Sequence, residues 1–104
     1  MTLSVQYHPE ARAEFVEAVL WYAKQRKVVG VRFRAAARQT VRSVTLYPES
    51  APVWPGWDRL PVVRAVHLQK PWPYRVVYFV DDFRLQIVAV AHDKRLPRYW
   101  EHRV

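Results

Sequence analysis

The chain has 104 residues, of which 51% are hydrophobic and 25% are charged, and it contains no cysteine. This length allows a single domain, predicted here over residues 1–104, and the composition is too apolar for a disordered protein. The lack of cysteine excludes disulfides and cysteine-based zinc sites. Lysine and arginine number 17 against 9 acidic residues, a net charge of +8, and 13 of those cations are arginine. Such an arginine excess suits phosphates and carboxylates, so we expect nucleic acid or an acidic protein as the partner.

Several other function classes are not supported by the sequence. No apolar run reaches the roughly 20 residues that cross a bilayer, and the N-terminus does not resemble a secretion signal, so we expect a cytoplasmic protein. The four histidines lack the spacing of metal ligands, and no glycine-rich loop could cradle a phosphate. We therefore expect neither a metal nor a cofactor.

The first half of the chain predicts a strand followed by two helices. Residues 2–7 alternate between polar and apolar side chains, which is typical of a half-buried strand. His8-Pro9-Glu10 then opens a helix with one apolar stripe through Phe15 and Tyr22. A second apolar stripe consists of Ala13, Val16 and Leu20. Because one core can cover only one stripe, the second packs on the next helix or is left for a partner.

The second helix is predicted over residues 30–47, with Gly30 as the break before it and Pro48 as its end. Its side away from the core carries Arg34, Arg38 and Arg42 at four-residue intervals. The two helices should form a hairpin. An acidic, amphipathic segment of a partner could lie on it, burying the second stripe and pairing these charges.

The second half of the chain predicts a loop and three antiparallel strands. Residues 48–61 contain four prolines and should form an irregular loop that Trp54 and Trp57 hold against the sheet. Strands are expected at about 62–68, 74–80 and 84–92, joined by short connections. The predicted fold is α+β, with the order β-α-α-β-β-β and a helical hairpin packed on an antiparallel sheet.

A cluster of basic residues follows if both strand connections contain an even number of residues. Arg64, Arg75 and His92 then share one face of the sheet, whereas an odd loop would separate them. Such a cluster could pair with the domain's own carboxylates. It could also bind an anion, with two arginines stabilising a phosphate and His92 acting as an acid.

The ordered set of residues in the C-terminal half resembles the ParE/RelE superfamily of bacterial toxins. The resemblance rests on Arg64, on Pro73-Tyr74-Arg75, on the strand that ends in His92, and on Arg95-Leu96-Pro97 with Trp100 and Arg103. The N-terminal half agrees through Phe15, Tyr22, Gly30 and the helix that ends at Pro48. The resemblance covers nearly the whole chain, although no single motif in it is strong.

The resemblance implies the toxin of a type II toxin–antitoxin pair, which a cognate antitoxin neutralises by wrapping a segment around it. ParE-like members poison DNA gyrase, whereas RelE-like members cut mRNA in the ribosome without a metal. The second activity would use Arg64, Arg75 and His92 as catalytic residues. Because a carboxylate base is hard to place and lysines are few, we favour the ParE-like reading. A module of this fold that binds a partner without being toxic remains a further alternative.

The resemblance also divides the candidate binding residues into two groups. In the ParE-like reading the target is held by an exposed C-terminal tail, whose candidate residues are Lys94, Arg95, Arg98, Trp100 and Arg103. The antitoxin is expected on the helical hairpin, at Ala13, Val16, Leu20, Arg34, Arg38 and Arg42. Each partner then has its own surface on the toxin.

Overall fold

The structure, a computed structural model, describes residues 3–104. It begins with strand β1 (Ser4–Tyr7) and helices α1 (Pro9–Gln25) and α2 (Lys27–Leu46). Strands β2 (Arg64–His67), β3 (Tyr74–Asp81) and β4 (Arg84–His92) follow, and a short 3-10 turn (Glu101–Arg103) ends the chain. The predicted order of elements is confirmed. Thr2, where the first strand was predicted to begin, lies outside the described residues.

The four strands form one sheet in the order β1-β4-β3-β2. β2, β3 and β4 are antiparallel neighbours, as predicted, but β1 lies parallel to β4, with Tyr7 opposite Ile87. The fold class is therefore confirmed, with the correction that the sheet is mixed. The parallel pairing arises because both helices lie between β1 and the rest of the sheet in the chain, and a crossover of this kind permits parallel strands.

The break between the two helices differs from the prediction. Arg26, whose backbone is extended (φ −155°, ψ 133°), separates α1 from α2. Gly30 is the fourth residue of α2. A Cβ atom on Gly30 would stand 2.8 Å from the Cβ of Ala23. The glycine therefore allows the two helices to approach closely, and it does not act as a helix break.

Apolar side chains cover the sheet on both sides. On the helix side, Phe33 of α2 and Ala11 of α1 pack over a cluster that includes Val76, Tyr78 and Ile87. On the opposite side, which we call the loop side, Val77 and Ala89 lie under residues of the long loop and of the C-terminal segment. The uninterrupted apolar runs of β3 and β4 are explained by this double coverage.

Three tryptophans, Trp54, Trp57 and Trp100, pack together on the loop side of the sheet. Trp57 and Trp100 are 8% and 1% exposed, and the ring of Trp100 lies 5.0 Å from that of Trp54 and 5.7 Å from that of Trp57. The indole N–H of Trp57 donates a hydrogen bond to the carbonyl of Pro61 at 2.8 Å. The tryptophans thus hold the proline-rich loop to the sheet, in the arrangement the sequence predicts. Within residues 3–104, no helix is long and apolar enough to cross a membrane.

Candidate functional site

An open groove runs along the helical hairpin, where α1, α2 and the edge strand β1 meet. Its volume is about 420 Å³. We call it the hairpin groove, and its lining consists of Val5, Tyr7, Arg12, Phe15, Val16, Val19, Leu20, Arg34, Arg38 and Val41. Val16 is 45% exposed and Leu20 is 60% exposed. The second apolar stripe of α1 is therefore not covered by α2.

Arginines border this apolar surface. Arg34 and Arg38 come from successive turns of α2, and Arg12 lies one turn before Val16 on α1. In the part of the chain that the structure describes, none of these three forms an ion pair. Burial raises the pKa of the Tyr7 phenol, while the nearby charges of Arg38 and Arg12 act in the opposite direction. The groove thus combines an apolar surface with unneutralised positive charge.

Four of the six residues predicted to bind the antitoxin line the groove, namely Val16, Leu20, Arg34 and Arg38. Ala13 is exposed but lies outside the lining. Arg42 lines a neighbouring depression together with Arg38. Residues four apart on a helix are offset by about 40° around its axis, so Arg42 points further from the groove than Arg34 does. Val5 and Arg12 line the groove but are not among the residues predicted from the sequence. The lining depends on the position of β1 beside β4, which the sequence did not predict.

The predicted cluster of Arg64, Arg75 and His92 does not form. Arg64 stands opposite Tyr78, and its Nη1 donates to the carbonyl oxygen of Ala51 at 2.8 Å. Arg75 stands opposite Ala91 on the loop side of the sheet. His92 stands opposite Tyr74 on the helix side, about 13 Å along β3 from the position of Arg64. The prediction that all three share one face is wrong.

Two departures from the assumed register separate these residues. The connection between β2 and β3 has an odd number of residues, since His67 pairs with Arg75 and Leu68 N–H donates to the carbonyl of Tyr74. A bulge in β4 then places Val88 and Ala89 together on the loop side. Each departure moves side chains to the other face of the sheet.

Arg75 and His92 still border a shared cleft of about 270 Å³ at the end of the sheet, together with Arg95. The carboxylate of Asp93 lies 2.9 Å from Nε2 of His67 and 3.9 Å from Nε of Arg75. Nδ1 of His92 accepts the backbone N–H of Lys94 at 3.0 Å. Much of the polar capacity of this cleft is thus used within the chain.

The prediction of an exposed C-terminal tail is corrected for Trp100 and Arg103. Trp100 is buried on the loop side, and the Arg103 side chain is only 5% exposed and bound to Glu14. Arg98 pairs with Glu101 at 2.9 Å, and this hydrogen bond lowers the pKa of Glu101. Lys94 and Arg95 remain exposed, beside a Leu96 that is 79% exposed.

Comparison with known proteins agrees with this architecture. The fold is similar to a solved chain described as "Chromosomal ParDE TA system from P. aeruginosa", with a TM-score of 0.69 and 16% sequence identity. The similarity covers 88% of this chain and 96% of that one. At this identity the likeness is evidence for a shared fold. No curated protein matches the sequence at a significant level.

The sequence also matches a family profile over residues 5–97, and that family is described as "ParE toxin of type II toxin-antitoxin system, parDE". Because the match covers most of the chain, the protein belongs to the ParE toxin family. The resemblance drawn from the sequence is confirmed, and the chain is a type II toxin of ParE type. The RelE-like alternative and the non-toxic alternative are not favoured.

Proposed function

We propose that this toxin arrests growth by binding DNA gyrase through a protein surface, and that an antitoxin neutralises it by occupying the hairpin groove. The observation that supports the antitoxin site is the open apolar surface of Val16 and Leu20, bordered by arginines without ion pairs. The gyrase target is supported by membership of the ParE family and by the separation of Arg75 from Arg64 and His92, the basic residues that a nuclease would need.

The chemistry of the groove defines the antitoxin segment that fits it. Apolar side chains at helical spacing would cover Val16 and Leu20, and carboxylates at the edge would reach Arg12, Arg34 and Arg38. Association would be accelerated by the opposite charges and weakened by salt. An amphipathic, acidic helix meets both requirements.

The first prediction tests the groove by placing a charge in it. Leu20→Asp should weaken the complex with the antitoxin by about 30-fold or more, because a central apolar contact in an interface contributes about 2 kcal/mol. The matched control is Leu60→Asp, since Leu60 is 84% exposed and lies in the proline-rich loop away from the groove. Binding is measured by titration of each purified toxin variant with the antitoxin encoded beside it. Equal affinities for the two variants would contradict the proposed site.

The proposed target surface is the exposed part of the loop after β4, with Lys94, Arg95 and Leu96. Arg98, Trp100 and Arg103 are less suited to this role, because their side chains are used for close contacts within the chain. Arg95 also contacts Glu14, but at the longer distance of 3.9 Å, and its side chain is 53% exposed. Binding a protein surface requires shape and charge but no proton transfer, so His92 is not required in this mechanism.

The second prediction separates gyrase inhibition from mRNA cleavage. His92→Ala should still arrest growth, whereas Lys94→Glu combined with Leu96→Asp should not, because both side chains are exposed on the proposed target surface. In a nuclease, loss of a general acid would cost about 10²–10⁴-fold in cleavage. Growth after induction is measured for both variants, together with gyrase trapped on DNA and with mRNA integrity.

The outcomes of this experiment are distinct. A harmless His92→Ala variant that folds and binds the antitoxin would favour the nuclease, with Arg64 and Arg75 as its other candidate residues. Growth arrest by the Lys94→Glu, Leu96→Asp variant would remove the target from this surface. A wild-type chain that binds the antitoxin but does not arrest growth would instead favour the non-toxic module.

A further inference from the structure

The positive charge of this toxin is concentrated on the helical hairpin. Between Glu17 and Glu49 the sequence has seven basic residues and no acidic one, and those residues are Lys24, Arg26, Lys27, Arg32, Arg34, Arg38 and Arg42. The rest of the chain has ten basic residues and nine acidic ones. Nearly all of the net charge of +8 therefore comes from one contiguous part of the fold.

The structure leaves these seven cations without partners. All seven are exposed, and within residues 3–104 none of them forms an ion pair with a carboxylate. In contrast, six arginines elsewhere are paired with acidic residues, namely Arg59, Arg75, Arg84, Arg95, Arg98 and Arg103. A surface of one sign raises the local concentration of ligands that carry the opposite charge.

An antitoxin segment in the hairpin groove would neutralise only part of this charge. Arg34 and Arg38 line the groove, but the other five cations do not. Arg38 and Arg42 also line a neighbouring depression, together with Ala35 and Gln39. We use the name outer face of α2 for this depression together with the exposed side chains of Lys27 and Arg32, which lie on the same helix.

The dimensions of the outer face suit an extended polyanion. Lys27 and Arg42 are fifteen residues apart, which is about 22 Å along the helix axis. A helical turn of duplex DNA is about 34 Å long and presents phosphates on both strands along that length. Arginine binds phosphate oxygens in a bidentate manner, and Gln39 adds a hydrogen-bonding side chain between the two arginines.

We propose that the outer face of α2 binds the phosphate backbone of duplex DNA, independently of its sequence. A duplex fits better than a single strand, because the exposed side chains within α2 are aliphatic or polar, and the exposed ring of Tyr47 lies beyond the last residue of the helix, so a base has no aromatic ring to stack on along its length. The choice of DNA rests on the proposed function, in which the target is an enzyme that holds DNA. The toxin would then contact both the enzyme and its bound DNA.

The test measures binding of the purified full-length chain to a fluorescent duplex of about 30 base pairs, roughly three helical turns. Wild-type toxin should bind it with a Kd of about 10⁻⁴–10⁻⁶ M near physiological salt. Arg32→Gln combined with Arg42→Gln should weaken binding and reduce the slope of log K against log salt by about 2, because two arginines no longer neutralise a phosphate each. Lys70→Gln combined with Arg84→Gln removes the same charge elsewhere and should leave the slope unchanged.

Three results would overturn the proposal. Equal losses in the two double variants would mean that binding follows net charge and not the outer face of α2. Tighter binding of a single strand of the same length would exclude the duplex. Loss of antitoxin affinity in the Arg32→Gln, Arg42→Gln variant, with unchanged duplex binding, would assign the face to an acidic protein.

The experiment also separates this inference from the proposed function. The duplex titration contains neither gyrase nor antitoxin, and antitoxin affinity is titrated separately, so a chain that does not bind DNA can still inhibit gyrase in a separate assay. Conversely, a chain that binds DNA without inhibiting gyrase would overturn only the proposed target. Circular dichroism of every variant confirms that the fold is intact, which is expected because all four substituted side chains are exposed.

Discussion

Replacing Trp100 with alanine is expected to lower the free energy of unfolding by about 3–5 kcal/mol, the usual cost of removing a buried aromatic side chain. The indole is 1% exposed and packs between Trp54, Trp57 and the loop side of the sheet. A small domain is stable by only about 5–15 kcal/mol, so the loss would be a large fraction of the total. Urea denaturation followed by far-ultraviolet circular dichroism measures it without relying on tryptophan fluorescence.

Trp21→Ala is the matched control for this prediction. Trp21 is 57% exposed on α1 and stacks edge-on against Tyr22 at 5.1 Å. Its removal should change the free energy of unfolding by about 0.5 kcal/mol, as expected for a surface position. If the two variants lost equal stability, the packing of the C-terminal segment on the loop side would be contradicted.

The sequence predicts well those features that depend on local periodicity. The alternating residues around Val5 and the apolar runs that include Val77 and Val88 identify strands, and the spacing of Phe33, Ala37 and Val44 identifies the buried side of α2. The second apolar stripe of α1 left two alternatives open, packing on α2 or exposure for a partner, and the structure leaves Val16 and Leu20 exposed. These features depend only on neighbours in the chain.

Two kinds of feature are not predicted by the sequence. The first depends on the exact number of residues in a loop or strand, and the second depends on contacts between residues that are far apart in the chain. One additional residue between β2 and β3 and a bulge at Val88 reverse the faces on which the basic residues lie. Neither feature changes the hydrophobic pattern enough to be recognised in advance. The predicted cluster at Arg75 and His92 therefore failed, although the strands that carry these residues were correctly placed.

The C-terminal segment illustrates the effect of distant partners. Its sequence is basic and contains Pro97, so it is typical of a solvated tail. In the structure, Trp100 packs on Trp57, and Arg103 binds Glu14, which lies 89 residues earlier in the chain. Deletion of residues 98–104 would therefore remove part of the core. Point substitutions at the exposed Lys94 and Leu96 are the better test of target binding.

A second large loss in the free energy of unfolding is expected when the ion pair between Glu14 and Arg103 is broken. Nη1 and Nη2 of Arg103 each donate to one carboxylate oxygen of Glu14 at 3.1 Å, and Nη1 also donates to the carbonyl of Val88. Burial opposes the charge of Arg103, but the hydrogen bond and the charge of Glu14 raise the pKa of its guanidinium group. The pair joins α1, the bulge in β4 and the chain end.

Glu14 binds two further groups that make its charge important. One carboxylate oxygen accepts the backbone N–H of Val90 at 3.0 Å, and the other accepts the hydroxyl of Tyr99 at 2.8 Å. Burial and this hydrogen bond to Glu14 raise the pKa of Tyr99, which keeps the phenol protonated as a donor. Nε of Arg103 lies 3.1 Å from Glu10 as an ion pair, without the alignment of a hydrogen bond.

Arg103→Ala should therefore lower the free energy of unfolding by about 3–5 kcal/mol, because the Glu14 carboxylate, only 14% exposed, loses its close cation and keeps Arg95 at the longer distance of 3.9 Å. Glu14→Ala should cost a similar amount, because both Nη atoms of the guanidinium lose this acceptor while Nε keeps the ion pair with Glu10, and the N–H of Val90 loses its bond to Glu14. The double variant should lose less than the sum of the two, with a coupling energy of about 0.5–3 kcal/mol between the partners. All three are measured by urea denaturation at neutral pH.

Glu17→Ala is the matched control, because Glu17 lies one turn further along α1 and is exposed, and it should change stability by about 0.5 kcal/mol at most. Two results would contradict the assigned role of the pair. If Arg103→Ala were as stable as the wild-type chain, the C-terminal segment would not be anchored by Glu14. If the double variant lost as much stability as the two single variants together, Glu14 and Arg103 would each stabilise the fold through other contacts and not through their ion pair.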